Sequence, residues 1–259
     1  MRIPRTHFAC LAPLIGSLAL GLALLGGGVA TAAIGTPVAI MAEALGTTSG
    51  SSSPTNVDAP VGSLLVFAVS LWNIANGTIT GCTLSDGDTL TLAAQPAATG
   101  SVYNMALLYA SNTAHDLPSG GSITCTTSNG SGYAAGGWSV SGANGGVDKT
   151  NSSVSGSAAS VSLATGTLAV PSEIVFGAER YVGGTYTEGS GFSTLYSSGG
   201  NFIVSYEITA ATTSQTWGPS WTSATAAAAA LATFEASAAT GCGSPGHPHT
   251  LMLTGAGCA

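Results

Sequence analysis

The chain has 259 residues, five cysteines, 37 glycines and 45% apolar side chains, and only 6% of it is charged, with 11 acids against 4 bases. No basic cluster exists to displace counterions from phosphates, which excludes nucleic-acid binding, and so few Glu, Lys and Arg exclude a coiled coil or solvent-exposed helical bundle. The apolar and aromatic content excludes a disordered acidic tail, leaving a globular chain rich in β-structure.

Met1 to Arg5 is basic, Phe8 to Leu25 is apolar, and Ala30-Thr31-Ala32 is small-x-small. That succession predicts a secretory signal peptide over residues 1–33. Pro13, Gly16, Gly21 and the lack of a basic stop-transfer cluster weaken the alternative of an uncleaved anchor. A start codon placed too early, with translation from near Val29, is the third reading. Removing the leader takes Arg2 and Arg5 and leaves Lys149 and Arg180 against all 11 acids. The expected location is secreted or cell-surface, with no stable membrane span after leader removal.

Residues 34–238 are expected to form one all-β domain, a two-sheet antiparallel sandwich. Leu64 to Leu71 is continuously apolar, as in a central strand covered on both faces. Asp86-Gly87 predicts a hairpin turn, because Gly accepts positive φ. Tyr103 to Ala110 alternates, Ile123 to Thr127 and Trp138 to Val140 add strands, and Asn144 to Gly166 reads as a Ser/Gly/Ala-rich surface connection. Glu173 to Ala178 is a further strand. Phe202 to Ile208 predicts a strand with one buried face, Phe202, Val204, Tyr206 and Ile208 inward. Ala226 to Phe234 suits a helix by propensity, but Thr233 and Phe234 favour a closing strand. Pro60 to Phe67 echoes Val170 to Phe176, Met105 to Tyr109 echoes Ile203 to Glu207, and Gly137 to Val140 echoes Ala230 to Phe234. The echo predicts two halves whose strands interleave, as in jelly rolls.

The hairpin at 83–92, Leu-Leu-Tyr-Ala-Ser-Asn at 107–112, Trp-Ser-Val-Ser-Gly with Asp148, Glu-Ile-Val-Phe-Gly-Ala, Gly-Ser-Gly-Phe at 189–192 and Ala-Leu-Ala-Thr-Phe occur in that order. Together they resemble poorly characterised jelly-roll or lectin-like β-sandwich domains of secreted bacterial proteins and phage virions, over roughly 36–236. The resemblance implies a sandwich with an extracellular or virion-surface role, and no catalytic residues to carry over.

Beyond Cys10, the cysteines are Cys82, Cys125, Cys242 and Cys258. Four permit three connectivities; 82–125 and 242–258 are expected after export, with reduced thiols the alternative. The tail, 239–259, holds His247 and His249 beside Cys242 and Cys258, but the spacing matches no standard zinc motif, so no cofactor is expected. Asp86 and Asp88 could lend oxygens to calcium, though a tight turn is the simpler role. His115 beside Asp116, and carboxylate pairs such as Glu173/Glu179 or Glu188/Glu207, are the available catalytic candidates, and nothing in their spacing singles them out. Trp217 and Trp221 flank one predicted turn and Tyr181 and Tyr186 another. Those four aromatics form the candidate ligand site, a stacking surface for a glycan, with end-plugs of the sandwich the alternative. The expected role is non-catalytic surface attachment; a structural or appendage component of a virion or cell surface, self-assembling as a homo-oligomer or particle, is the second reading, and a secreted hydrolase the third.

Overall fold

Leu64–Trp72 is an unbroken apolar run because both faces of that strand are covered: residues 64–71 are all buried. A computed structural model describes residues 31–46, 51–52, 59, 61–72, 77–97, 103–110, 121–128, 133–198 and 202–238. Among these, every regular element is a strand, and every pairing is antiparallel. The first half contains β1 (Val38–Gly46), β2 (Ser51–Ser52), β3 (Leu64–Trp72), β4 (Ile79–Leu84), β5 (Thr89–Ala94), β6 (Tyr103–Ala110), β7 (Ile123–Thr127) and β8 (Tyr133–Val140). The second contains β9 (Ala143–Ser160), β10 (Leu163–Ala164), β11 (Glu173–Tyr181), β12 (Tyr186–Thr187), β13 (Ser193–Ser197), β14 (Phe202–Thr209), β15 (Thr216–Trp217) and β16 (Ser220–Ala236).

The two halves follow one plan. Sheet one runs β1-β8-β3-β6-β5 and continues through β4, β7 and β2; sheet two runs β9-β16-β11-β14-β13, each strand eight places later in the chain. The short pair β2–β7 recurs as β10–β15. The echoed segments are therefore the central strand and its two neighbours in each sheet. Each half builds its own sheet, so the expected interleaving of strands is not found. The register also differs by one residue from the sequence match. Phe176 faces the core shared by the two sheets, whereas Phe67 faces away from it, and Val66 is the residue on the matching face. A one-residue slip exchanges the two faces of a strand, so the row Val66, Tyr109, Trp138 corresponds to Phe176, Tyr206, Ala232.

The sheets pack face to face over Leu64, Val66, Met105, Leu107 and Trp138 from one side and Ile174, Phe176, Phe202, Val204 and Phe234 from the other. This is the two-sheet β-sandwich that the alternation predicts. Each sheet is also covered on its far face. In the first half β4, β7 and β2 curl over Leu65, Phe67, Val69 and Leu71. Cys82 of β4 lies opposite Cys125 of β7, and the two are joined in a disulfide, as expected. The β4–β5 turn has Gly87 at φ 97° and the Asp88 amide donating to Asp86 Oδ1 at 3.0 Å, a local use for that carboxylate.

Two expectations change. Residues 143–160 are an 18-residue strand along β16, not a loop. Ser and Gly carry little strand propensity, and only pairing with β16 makes the segment extended. In β14 both faces are buried over Phe202 to Ser205, while Ile208 is 40% exposed. The cover over Ile203 and Ser205 comes from residues distant in sequence, which a period-two pattern does not report. Ala226 to Phe234 is strand, as its C-terminal residues suggest, with Ala228, Ala230 and Ala232 facing the shared core.

Of the expected leader, residues 31–33 lie in the described part: Thr31 pairs with Ala238 and the Ala32 amide donates to the Ser237 carbonyl at 2.8 Å. Residues 1–30, His115 with Asp116, and the tail with Cys242, His247, His249 and Cys258 lie outside the described residues.

Candidate functional site

The far face of sheet two begins with β11. Ile174, Phe176 and Ala178 point to the shared core, so Val175, Gly177, Glu179 and Tyr181 point the other way. Gly183 and Gly184, both at φ 86°, turn the chain from β11 into β12 and bring Tyr186 back beside Tyr181. Gly218-Pro219 joins β15 to β16, and Trp217 and Trp221 lie over the same face. All four predicted aromatics are thus brought together. Tyr181 stacks on Trp221, centroids 5.1 Å apart at 24°, and on Tyr186 at 6.1 Å and 26°. Trp217 packs with Leu163, Val175, Phe192 and Leu231, directly over Gly177, where a Cβ would clash with the indole at Cδ2.

They do not form an external surface. Tyr181 and Trp217 are 0% exposed and Trp221 is 4% exposed; Tyr186 is half-buried. The reason is packing: Gly177 leaves a hollow in the sheet face, and the indole fills it. In the first half Phe67 occupies the matching position on β3, with Gly137 of β8 beneath its ring. These rings are the interior of a cover, and a sugar has no face of Trp217 or Tyr181 to stack on.

The polar centre of this cover is Glu188, a residue that sequence reading placed only within a speculative carboxylate pair. Its Oε1 accepts from Tyr186 Oη (2.9 Å), the Gly189 amide (2.9 Å) and Trp217 Nε1 (3.1 Å). Its Oε2 accepts from Thr194 Oγ1 (2.6 Å) and Ser205 Oγ (2.5 Å). Burial works to raise this carboxyl, but the hydrogen bonds from Ser205, Thr194, Trp217 and the Gly189 amide hold it below the ordinary glutamate range. Five donors fill a carboxylate's acceptor capacity. Glu188 therefore ties β12, β13, β14 and β15 together, as Cys82–Cys125 ties β4 to β7.

Glu179 lies deeper. It is 0% exposed, and neither of its oxygens has a hydrogen-bond partner. Burial first, and the Glu188 charge second, push it up to about 8, so it is protonated at neutral pH. Its ladder neighbours are Ile203 and Ala229, and the matching place in the first half is Val69. The Tyr181 hydroxyl, likewise buried without a partner, is raised by burial and then by Glu179.

Neither anticipated carboxylate pair is the coupled one. Glu173 and Glu179 stand six residues apart on β11, about 20 Å at strand rise, beyond the separation that glycosidase carboxylates use. Glu188 is coupled to Glu179 and not to Glu207, whose carboxyl is raised by burial alone. Glu173 joins Asp148 instead; burial first, with Asp148 adding, raises Glu173, while Lys149, 2.7 Å from Asp148 Oδ1, helps hold Asp148 low against its own burial. Among the described residues no group of three or more His, Cys, Asp or Glu is placed to hold a metal ion.

A second aromatic group lies where one end of β3 and β6 meets β11. Trp72 and Tyr103 are direct ladder partners, and Arg180 reaches across from sheet two to set its guanidinium 5.4 Å from the Trp72 ring and 5.7 Å from the Tyr103 ring. All three are half-buried. Sequence reading missed this group because the residues come from three distant segments and carry no motif.

The fold and these clusters define a two-sheet antiparallel β-sandwich of doubled plan, covered on both outer faces. Comparison of the chain with family models, curated proteins and solved structures finds no match.

Proposed function

We propose that this chain is a non-catalytic β-sandwich module for attachment at an extracellular surface, with a glycan as the ligand class. The observation that supports the reading is Arg180 set between Trp72 and Tyr103. The half-buried rings keep part of their surface for the C–H face of a sugar beside the guanidinium that lies over them, and a planar guanidinium suits hydroxyls and carboxylates. The guanidinium's match to carboxylates favours an acidic saccharide at this point, against the chain's formal charge of −7. The carboxylates of the other cluster are committed inside the fold, Glu188 to five donors and Glu179 beneath the cover, which fits a scaffold role for that cluster. The test titrates tryptophan fluorescence with acidic and neutral polysaccharides, for the native chain and for Trp72→Ala and Arg180→Gln. Saturable binding to an acidic polysaccharide, lost in both variants with circular dichroism unchanged, is the expected result. Silence with every polysaccharide, or binding that survives both substitutions, refutes the reading. The second reading, a structural component of a virion or cell surface, draws support from the long edge strand β9.

A further inference from the structure

β9 is twice the length of its counterpart β1, 18 residues against 9, and at strand rise it extends about 60 Å. Among the described residues it pairs only with β16, which leaves its other edge open. The register is regular from Thr150 to Ser155. Backbone direction within it follows from β16, which pairs with β11 without a register shift. The Ala236 amide donates to the Ser172 carbonyl on the β11 side at 3.0 Å and the Ser237 amide to the Gly142 carbonyl on the β9 side at 2.8 Å, so the amides of Leu231, Ala229 and Ala227 point to β9, opposite Asn151, Ser153 and Ser155. The Ser152 amide donates to its neighbour's Asn151 Oδ1 at 2.8 Å. Alternation then directs the amides of Thr150, Ser152 and Val154 to the open edge and those of Asn151, Ser153 and Ser155 to β16.

Natural edges are blunted by proline, by charge or by shortness. From Thr150 to Ser160 there is no proline and no charged side chain, and the adjoining Asp148 and Lys149 neutralise each other. The side chains are Ser, Thr, Asn, Gly, Ala and one Val, too small to obstruct an approaching strand. A chain of formal charge −7 repels its own copies, and the stretch from Thr150 to Ser160 adds no charge to that repulsion. Strand addition takes affinity from backbone bonds and specificity from side-chain pockets. β9 offers no pockets to read a foreign sequence, whereas an antiparallel pairing with itself is self-complementary about a two-fold axis and closes.

We propose that the open edge of β9 is a docking site for β9 of a second copy of this chain, making sheet two continuous across a dimer. The proposal is independent of the glycan reading. The test uses the full chain and Ser152→Pro, in which the ring removes an edge amide but no bond to β16. Sedimentation equilibrium from about 1 to 100 µM should show a monomer–dimer equilibrium for the native chain, and association on the order of tenfold or more weaker for the variant. A second measurement needs no variant: amide hydrogen exchange at Ser152 and Val154 should slow as concentration rises, while that at Ser153 stays unchanged. A native chain that is monomeric throughout, a folded Ser152→Pro chain that dimerises as the native one does, or edge amides indifferent to concentration would each overturn the proposal.

Discussion

Replacing Glu179 by Gln removes a titrating proton from the interior while keeping the side chain's shape. Glu179 is held near 8 in the folded chain against an ordinary 4.5. As pH rises from about 4.5 the unfolded chain loses this proton and the folded chain keeps it, so the folded state binds more protons and stability falls with pH. The loss continues to about pH 8, where the folded carboxyl also ionises, and then levels. At pH 7 the difference, at about 1.4 kcal/mol per unit, amounts to about 3 kcal/mol. Gln ionises in neither state and escapes this loss. The matching site in the first half holds Val69, so the sheet face itself has no need of an acid there. Urea denaturation of both chains at pH 4, 5.5, 7 and 8 measures the effect. The expected result is near-equal stability at pH 4 and a gap opening to about 3 kcal/mol in favour of Glu179→Gln by pH 7. Glu173, also raised, contributes the same sign of pH dependence and Glu188, lowered, the opposite one; both are common to the two chains and drop out of the difference. A gap that does not grow with pH, or a variant less stable at pH 8, would refute the protonated, sealed state of Glu179.

The Cys82–Cys125 bridge closes a span of 43 residues; the double change to Ser should cost about 4 kcal/mol by loop entropy, read as a lowered urea midpoint, and 1 mM dithiothreitol should reproduce part of that loss in the native chain. Trp217→Phe keeps most of the ring volume over Gly177 but removes one donor to Glu188; a loss of about 1–3 kcal/mol is expected, together with a shift of the acid-unfolding midpoint to higher pH, because the carboxylate is then less strongly held in its charged form.

How much of this was legible depends on the range of the signal. β3 and β11 were readable because continuous apolar runs and turn residues are local, and the Asp86-Gly87 turn because its glycine requirement is local. The 82–125 bridge was expected from two cysteines on separate predicted strands, and the structure sets those strands side by side. β9 was not legible: Ser, Gly and Ala carry no period, and its extended form is imposed by β16 some 80 residues away. The aromatics at 181, 186, 217 and 221 were found, but the sequence left them between a glycan surface and plugs of the sandwich, since the hollow at Gly177 that takes Trp217 inward exists only when β11 and β15 meet. Glu188 resisted reading for the same reason, as four of its five donors lie on four different side chains, three of them distant. Arg180 between Trp72 and Tyr103 is likewise a meeting of sheets, with no trace in one dimension.

The doubled plan leaves its two outer layers fastened by unlike chemistry, one by a sulfur–sulfur bond and one by an ionised carboxylate. The halves are therefore vulnerable to different surroundings. A thiol-rich compartment loosens the amino-terminal layer and leaves the other closed. Strong acid, which protonates Glu188 as pH falls through its depressed value, does the reverse. Only an environment both oxidising and well above the acid range keeps both fasteners engaged.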